Sequence, residues 1–197
     1  MIGTKITPVR RVALCTLFCL TFAALGTGQQ RKIAFERASN VWVANLDGTD
    51  AKKITGEAWP KISPDGTRLA FNTEKEWRPN SKFERHIAVA EIASGKVTIF
   101  KDIPSDNCFG PVWSPDWLKI AFSIMADRQW TLGVVSADGS GFRLARNAEA
   151  RDDTYAPAWS ADGKSIFCHD LKVLYQIDLE EMFSKNGSCP NFTSGAA

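Results

Sequence analysis

Histidine is nearly missing from this chain: His86 and His169 are the only two in 197 residues. Neither stands in an H-E-x-x-H pattern, and there is no G-x-S-x-G elbow or Walker-type glycine loop, so three common routes to hydrolysis leave no signature. Cysteine is scarce too. Of five, Cys15 and Cys19 sit in an apolar N-terminal run; Cys108, Cys168 and Cys189 are odd in number and lack metal-ligand spacing. Nothing implies a metal or other cofactor. In an oxidising compartment one pair could bridge, with Cys168–Cys189 the expected pair and buried unpaired thiols the alternative. No apolar run reaches the ~20 residues of a membrane span; "VALCTLFCLTFAAL" (12–25) stops at 14.

That run has a role of its own. Lys5, Arg10 and Arg11 precede it and the small-residue stretch "ALGTGQ" (24–29) follows, the three-part layout of a secretory signal peptide over residues 1–28, cleaved after Gly26 or Gly28. Cleavage leaves no membrane span. It also removes three basic residues and no acid, so 24 Lys+Arg against 22 Asp+Glu becomes 21 against 22, and the net charge moves from +2 to −1. A mature chain of that balance carries no basic footprint for nucleic acid.

What the chain has in quantity is repetition. "PKISPDGTRLAF" (60–71), "PVWSPDWLKIAF" (111–122) and "PAWSADGKSIFC" (157–168) align on Ser63, Ser114 and Ser160, with spacings of 51 and 46. Pro stands three residues before each Ser (Pro60, Pro111, Pro157) and Asp two after (Asp65, Asp116, Asp162). A fragment of the same pattern, "IAF" (33–35), precedes the first full copy. Pro, Asp and Gly in this order are turn chemistry between two short apolar strands. A second strand pair follows in each unit, joined at "LDG", "ASG" or "ADG". Four short strands per 45–50 residues is a propeller blade.

The fold class is therefore all-β, with propeller blades of four antiparallel strands over 29–180: about 31–56, 57–101, 108–146 and 155–180, followed by a polar tail (181–197). Counting strands as three, four, four and three gives about three and a half blades, a partial or unconventionally closed ring. The expectation is truncation of a longer relative, or self-association through open blade edges. Trp117 stands where Gly66 and Gly163 supply positive φ, at a cost of roughly 1–2 kcal/mol. Either the turn changes there or the ring packs under an adjacent blade.

"WSPDGxxIAF" followed by "I/V-x-V-x-D-x-x-G" resembles the repeats of TolB-type β-propellers, a family that includes the periplasmic propeller protein of the Tol–Pal system. The resemblance covers roughly residues 31–180. As a repeat signature it specifies the fold; similar blades occur in carrier, scaffold and enzyme-associated propellers. Taken with the signal and the missing catalytic motifs, the expectation is a secreted, periplasmic, non-enzymatic module that binds a protein or cell-envelope partner. The Tol–Pal member has an α/β domain ahead of its propeller; this chain enters its first strand almost directly after the predicted signal, so that domain's contacts do not carry over.

Within a blade the turns alternate between the two faces of the disc. The tight turns share one face, and the long connections 72–85, 101–110 and 146–156 share the other, where binding residues gather on rigid scaffolds. That face is expected to display Trp77, Arg78, Phe83, Arg85, Asp106, Asn107, Phe109, Arg151, Asp152, Asp153 and Tyr155, the aromatic and arginine mixture of protein interfaces. No catalytic set is present, and no enzyme is expected. Two alternatives stand beside this reading: a propeller-type lyase or hydrolase on envelope polysaccharide, centred near Asp106 and Asp152, and a truncated relative without function.

Overall fold

The computed structural model describes residues 31–38, 40–56, 58–73, 84–145 and 153–180. The predicted signal, Trp77, Arg78, Phe83, Arg151, Asp152, Cys189 and the tail lie outside them. The described chain forms fourteen strands in four antiparallel sheets. The first holds β1 (Lys32–Glu36), β2 (Val41–Asn45) and β3 (Lys52–Thr55), and the second β4 (Ala58–Ile62), β5 (Arg68–Asn72), β6 (Ile87–Glu91) and β7 (Val97–Ile99). The third holds β8 (Cys108–Trp113), β9 (Lys119–Ala126), β10 (Gln129–Ser136) and β11 (Arg143–Ala145), and the fourth β12 (Tyr155–Trp159), β13 (Ser165–His169) and β14 (Leu174–Asp178). These are propeller blades of three, four, four and three strands. Among the described residues they do not close into a ring.

The inner strands bury both faces, which is why they are continuously apolar rather than alternating. In β5, Leu69 and Phe71 face the first blade against Val41 and Val43, while Ala70 faces the third. In β9, Phe122 and Ile124 pack on the second blade, and Ala121 faces Ile166 and Cys168 of the fourth. Trp113 and Phe122 both lie in the apolar layer between the second and third blades. Burial pushes the Cys108 thiol up to about 12 and the Cys168 thiol to about 11; both are free.

The repeated Ser and Asp have a local task. Ser114 Oγ accepts the Lys119 N–H at 2.9 Å and donates to Asp116 Oδ1 at 2.6 Å, which also accepts the Leu118 N–H at 3.1 Å. Ser63 with Asp65 and Ser160 with Asp162 repeat the network. The hydroxyl bond first, and then the backbone N–H, hold Asp116 and Asp162 below the usual carboxylate range.

Trp117 adopts φ 52°, beside 68° at Gly66 and 71° at Gly163, and its N–H meets the Ser114 carbonyl at 2.9 Å as theirs meet Ser63 and Ser160. The turn is unchanged. Nor does the ring pack under a neighbour: Trp117 stays 42% exposed, while its carbonyl accepts Arg68 Nη2 at 2.9 Å.

The recurring Pro also finds its reason. A strand interior has no place for a residue without an N–H. In β4, β8 and β12 the register slips just there, between Ala58 and Lys61, Phe109 and Val112, and Tyr155 and Ala158. The residue before each Pro takes positive φ: Trp59 at 59°, Gly110 at 66° and Ala156 at 54°. These bulges let the first strands of the second, third and fourth blades run on past their Pro.

Candidate partner-binding face

The bulges carry side chains onto the face opposite the repeated Ser–Asp turns, the face that also carries the tight β9–β10 hairpin turn at Asp127–Arg128. Phe109 and Tyr155, expected in loops, are strand residues of β8 and β12. A local rule starts a strand no earlier than Pro111 and Pro157; the bulge overrides it.

Four aromatic rings from three blades form a row there. Trp59 meets Phe109 edge-on at 6.4 Å, Phe109 meets Trp130 at 5.0 Å and 84°, and Trp130 meets Tyr155 at 6.1 Å. The Arg85 guanidinium lies over Phe109 at 5.0 Å and Trp130 at 6.0 Å. Asn107 Oδ1 fixes it, accepting Nε at 3.1 Å and Nη2 at 2.8 Å. The backbones of the two residues form an isolated parallel bridge. The Arg85 N–H meets the Asp106 carbonyl at 2.8 Å, and the Arg85 carbonyl accepts Cys108 N–H at 2.9 Å. A planar cation stacked on rings and held by a fork is a pre-organised donor, which a lysine could not imitate.

Asp153 anchors the other end of the row. Its Oδ1 accepts the Trp130 N–H and its Oδ2 the Tyr155 hydroxyl, each at 2.9 Å. Burial, and then this bond to a carboxylate, raise the Tyr155 phenol above its ordinary range. Arg85, Asn107, Phe109, Asp153 and Tyr155 thus come together, with Asp106 beside them through its carbonyl.

Trp59 and Trp130 complete the row and escaped the sequence reading. Trp130 opens a strand-like run and looks like core. Trp59 had a visible signal: it occupies the pre-proline column held by Gly110 and Ala156. Its backbone N–H is satisfied across the blade boundary by Glu36 Oε1 at 2.6 Å. Asn72 Oδ1, at the same strand position one blade on, receives the Gly110 N–H at 3.5 Å. Ser123, next in that column, is too short to continue the pattern; its Oγ is buried with no hydrogen-bond partner. Tryptophan clasps tie the first strands together as well: Trp113 Nε1 donates to the Lys61 carbonyl at 2.8 Å and Trp159 Nε1 to Val112 at 3.2 Å.

No family model matches the chain. A curated relative, the Tol-Pal system protein TolB of Anaeromyxobacter dehalogenans strain 2CP-C, is 31% identical over 142 residues, 66% of this chain and 29% of that protein. The crystal structure of TolB from Acinetobacter baumannii superimposes with a TM-score of 0.56 at 16% identity, over 75% of this chain and 40% of that one. The chain belongs to the TolB-type β-propeller family. It spans about 29% of the length of the curated TolB relative. The blade fold is shared more widely: an oligogalacturonate lyase in complex with manganese aligns with a TM-score of 0.56 at 18% identity, over 77% of this chain and 46% of the lyase. At that identity the likeness is one of fold. The repeated Ser–Asp turns and bulged first strands described above are therefore features of TolB-type blades in this chain, and the aromatic row is what they present.

Proposed function

We propose that this chain is a secreted, periplasmic, non-enzymatic binding module that engages a protein partner of the cell envelope through the aromatic face of its second to fourth blades. The observation that carries this reading is Trp59. It holds a left-handed backbone, unfavourable by roughly 1–2 kcal/mol for a residue with a Cβ, and still leaves 53% of its surface in water. Gly110 and Ala156 perform the same bulge without a large ring. Folding gains little from Trp59, whereas a partner covering it gains a large amphipathic anchor. The Tol–Pal relative and the signal-like N-terminus support the compartment.

The test is capture from envelope extract with the parent protein, Trp59→Ala and Arg85→Ala, each first matched for circular dichroism and melting. Central aromatic and Arg anchors contribute about 2 kcal/mol or more, so each variant should bind about thirtyfold more weakly. Undiminished recovery of every partner by a folded Trp59→Ala protein would remove the aromatic face from the account. The same reading includes self-association. Among the described residues β1 pairs only with β2 and β14 only with β13, and Leu171 and Val173 just before β14 and Leu174 at its start are at least half exposed. Sedimentation across a concentration series measures it; a constant monomer mass rejects it.

A further inference from the structure

An open cleft of about 610 Å³ lies between the third and fourth blades, lined by Arg128, Gln129, Asp153, Tyr155, Asp170, Leu171 and Lys172. We propose that it binds a small organic carboxylate with a compact apolar or ring-shaped body. Its volume is that of a small-ligand site. The site shares Tyr155 and Asp153 with the aromatic face and Leu171 with the exposed edge at β14, while Arg128 belongs to neither.

The walls decide the ligand's charge. Asp153 is engaged by the Trp130 N–H and the Tyr155 hydroxyl. Asp170 accepts the Lys172 N–H at 2.9 Å, the Val173 N–H at 2.8 Å and the Tyr175 hydroxyl at 2.6 Å. Both carboxylates are thus turned to the protein's own donors and shape the walls. Arg128 offers the opposite charge from the tip of the β9–β10 hairpin. Its two-residue turn, Asp127 at φ 53° and Arg128 at 64°, follows the twist of the strands and holds the guanidinium's base at the rim. A guanidinium binds carboxylate through two parallel bonds.

Leu171 decides the ligand's body. It sits at φ 75° and is 80% exposed. An exposed leucine in a left-handed backbone is unfavourable on both counts for the folded chain alone, but it gives the cleft an apolar lip in the same lining as the half-buried Tyr155.

The test is a 1H–15N NMR titration of the folded chain with sodium glucuronate and with N-acetyl-phenylalanine, the sugar-acid and peptide-terminus sources of one chemistry. Glucose and N-acetyl-phenylalaninamide serve as neutral counterparts. At least one acid should move the Arg128, Trp130 and Leu171 amides with a Kd on the order of 1 mM, and its neutral counterpart should not. Arg128→Gln should weaken the acid about tenfold. Leu171→Gly should raise the melting temperature and weaken the ring-bearing acid, while leaving the weaker response to acetate unchanged. No shift with either acid, equal shifts with the neutral compounds, or indifference of a folded Arg128→Gln protein each overturn the site. Arg128→Gln should leave partner capture intact, so failure of the cleft and failure of the aromatic face are read separately.

Discussion

Replacing Gly133 by alanine should destabilise the protein, against the usual direction for a glycine in a strand. Gly133 lies in β10 opposite Phe122 of β9. A Cβ there would fall 2.6 Å from Phe122 Cζ, 2.7 Å from its Cε2 and 3.0 Å from Phe142 Cε2. Ordinary contact begins at 3.4 Å, so the Phe122 ring must retreat by roughly 0.8 Å. It has nowhere to go: Phe122 has no exposed surface, abuts Phe142 at 6.2 Å and sits in the layer between the second and third blades. Overpacking of this kind costs about 1–3 kcal/mol, and removing a glycine from a strand returns about 0.5–1. The net loss centres on about 1 kcal/mol and reaches about 2.5 kcal/mol at most, so the expected fall in Tm is about 2–4 °C for a domain of this size. Calorimetry of Gly133→Ala measures it, and Phe122→Leu supplies the control. Leucine lacks the Cζ and Cε atoms that meet the new methyl, so the alanine should cost about 1 kcal/mol less in that background. A Gly133→Ala protein as stable as its parent, or strictly additive effects in the pair, would refute the reasoning.

Ser123→Ala should leave stability unchanged or raise it by up to about 1 kcal/mol, because it removes a buried hydroxyl without a partner; a clear loss in chemical denaturation would contradict that. At Trp117 the glycine variant should be more stable than the alanine variant by about 0.5–1 kcal/mol, the left-handed strain less the entropy of the unfolded glycine. Equal melting of the two would show that φ is not what matters there. The Asp170 carboxyl is held down to about 2, from an ordinary 3.8, by the Tyr175 hydroxyl first and the Val173 and Lys172 N–H groups next. The unfolded chain therefore takes up the proton first, so the turn's stabilisation is complete above pH about 4 and is lost as pH falls toward 2. An NMR titration of Asp170 should show the low midpoint, rising in Tyr175→Phe; an ordinary midpoint in the parent would contradict the hydrogen bonds.

Much of the architecture is written locally. Ser63, Ser114 and Ser160 complete their turns within five residues, so the hairpins can be read from short windows and counted into blades. The aromatic row is not written that way. Local rules allow Pro111 and Pro157 to open a strand but place what precedes them in a loop, and only the observed bulges, which extend β8 and β12 back past them, turn Phe109 and Tyr155 into strand residues. Glu36 satisfies the N–H of Trp59 from the neighbouring blade, a contact across 23 residues of chain that no window of the pattern contains.

The sequence by itself determined the repeat, the all-β class, the count of strands and the family, because turn chemistry and two-sided apolar strands act over a few residues. Tertiary structure alone decided that Trp59, Arg85, Phe109, Trp130 and Tyr155 meet. They come from three blades, and their approach depends on how successive sheets stack and where each first strand bulges. It decided Trp117 as well. The surrounding Ser–Asp network holds the turn so firmly that the backbone keeps the shape made for glycine, and the tryptophan accepts it.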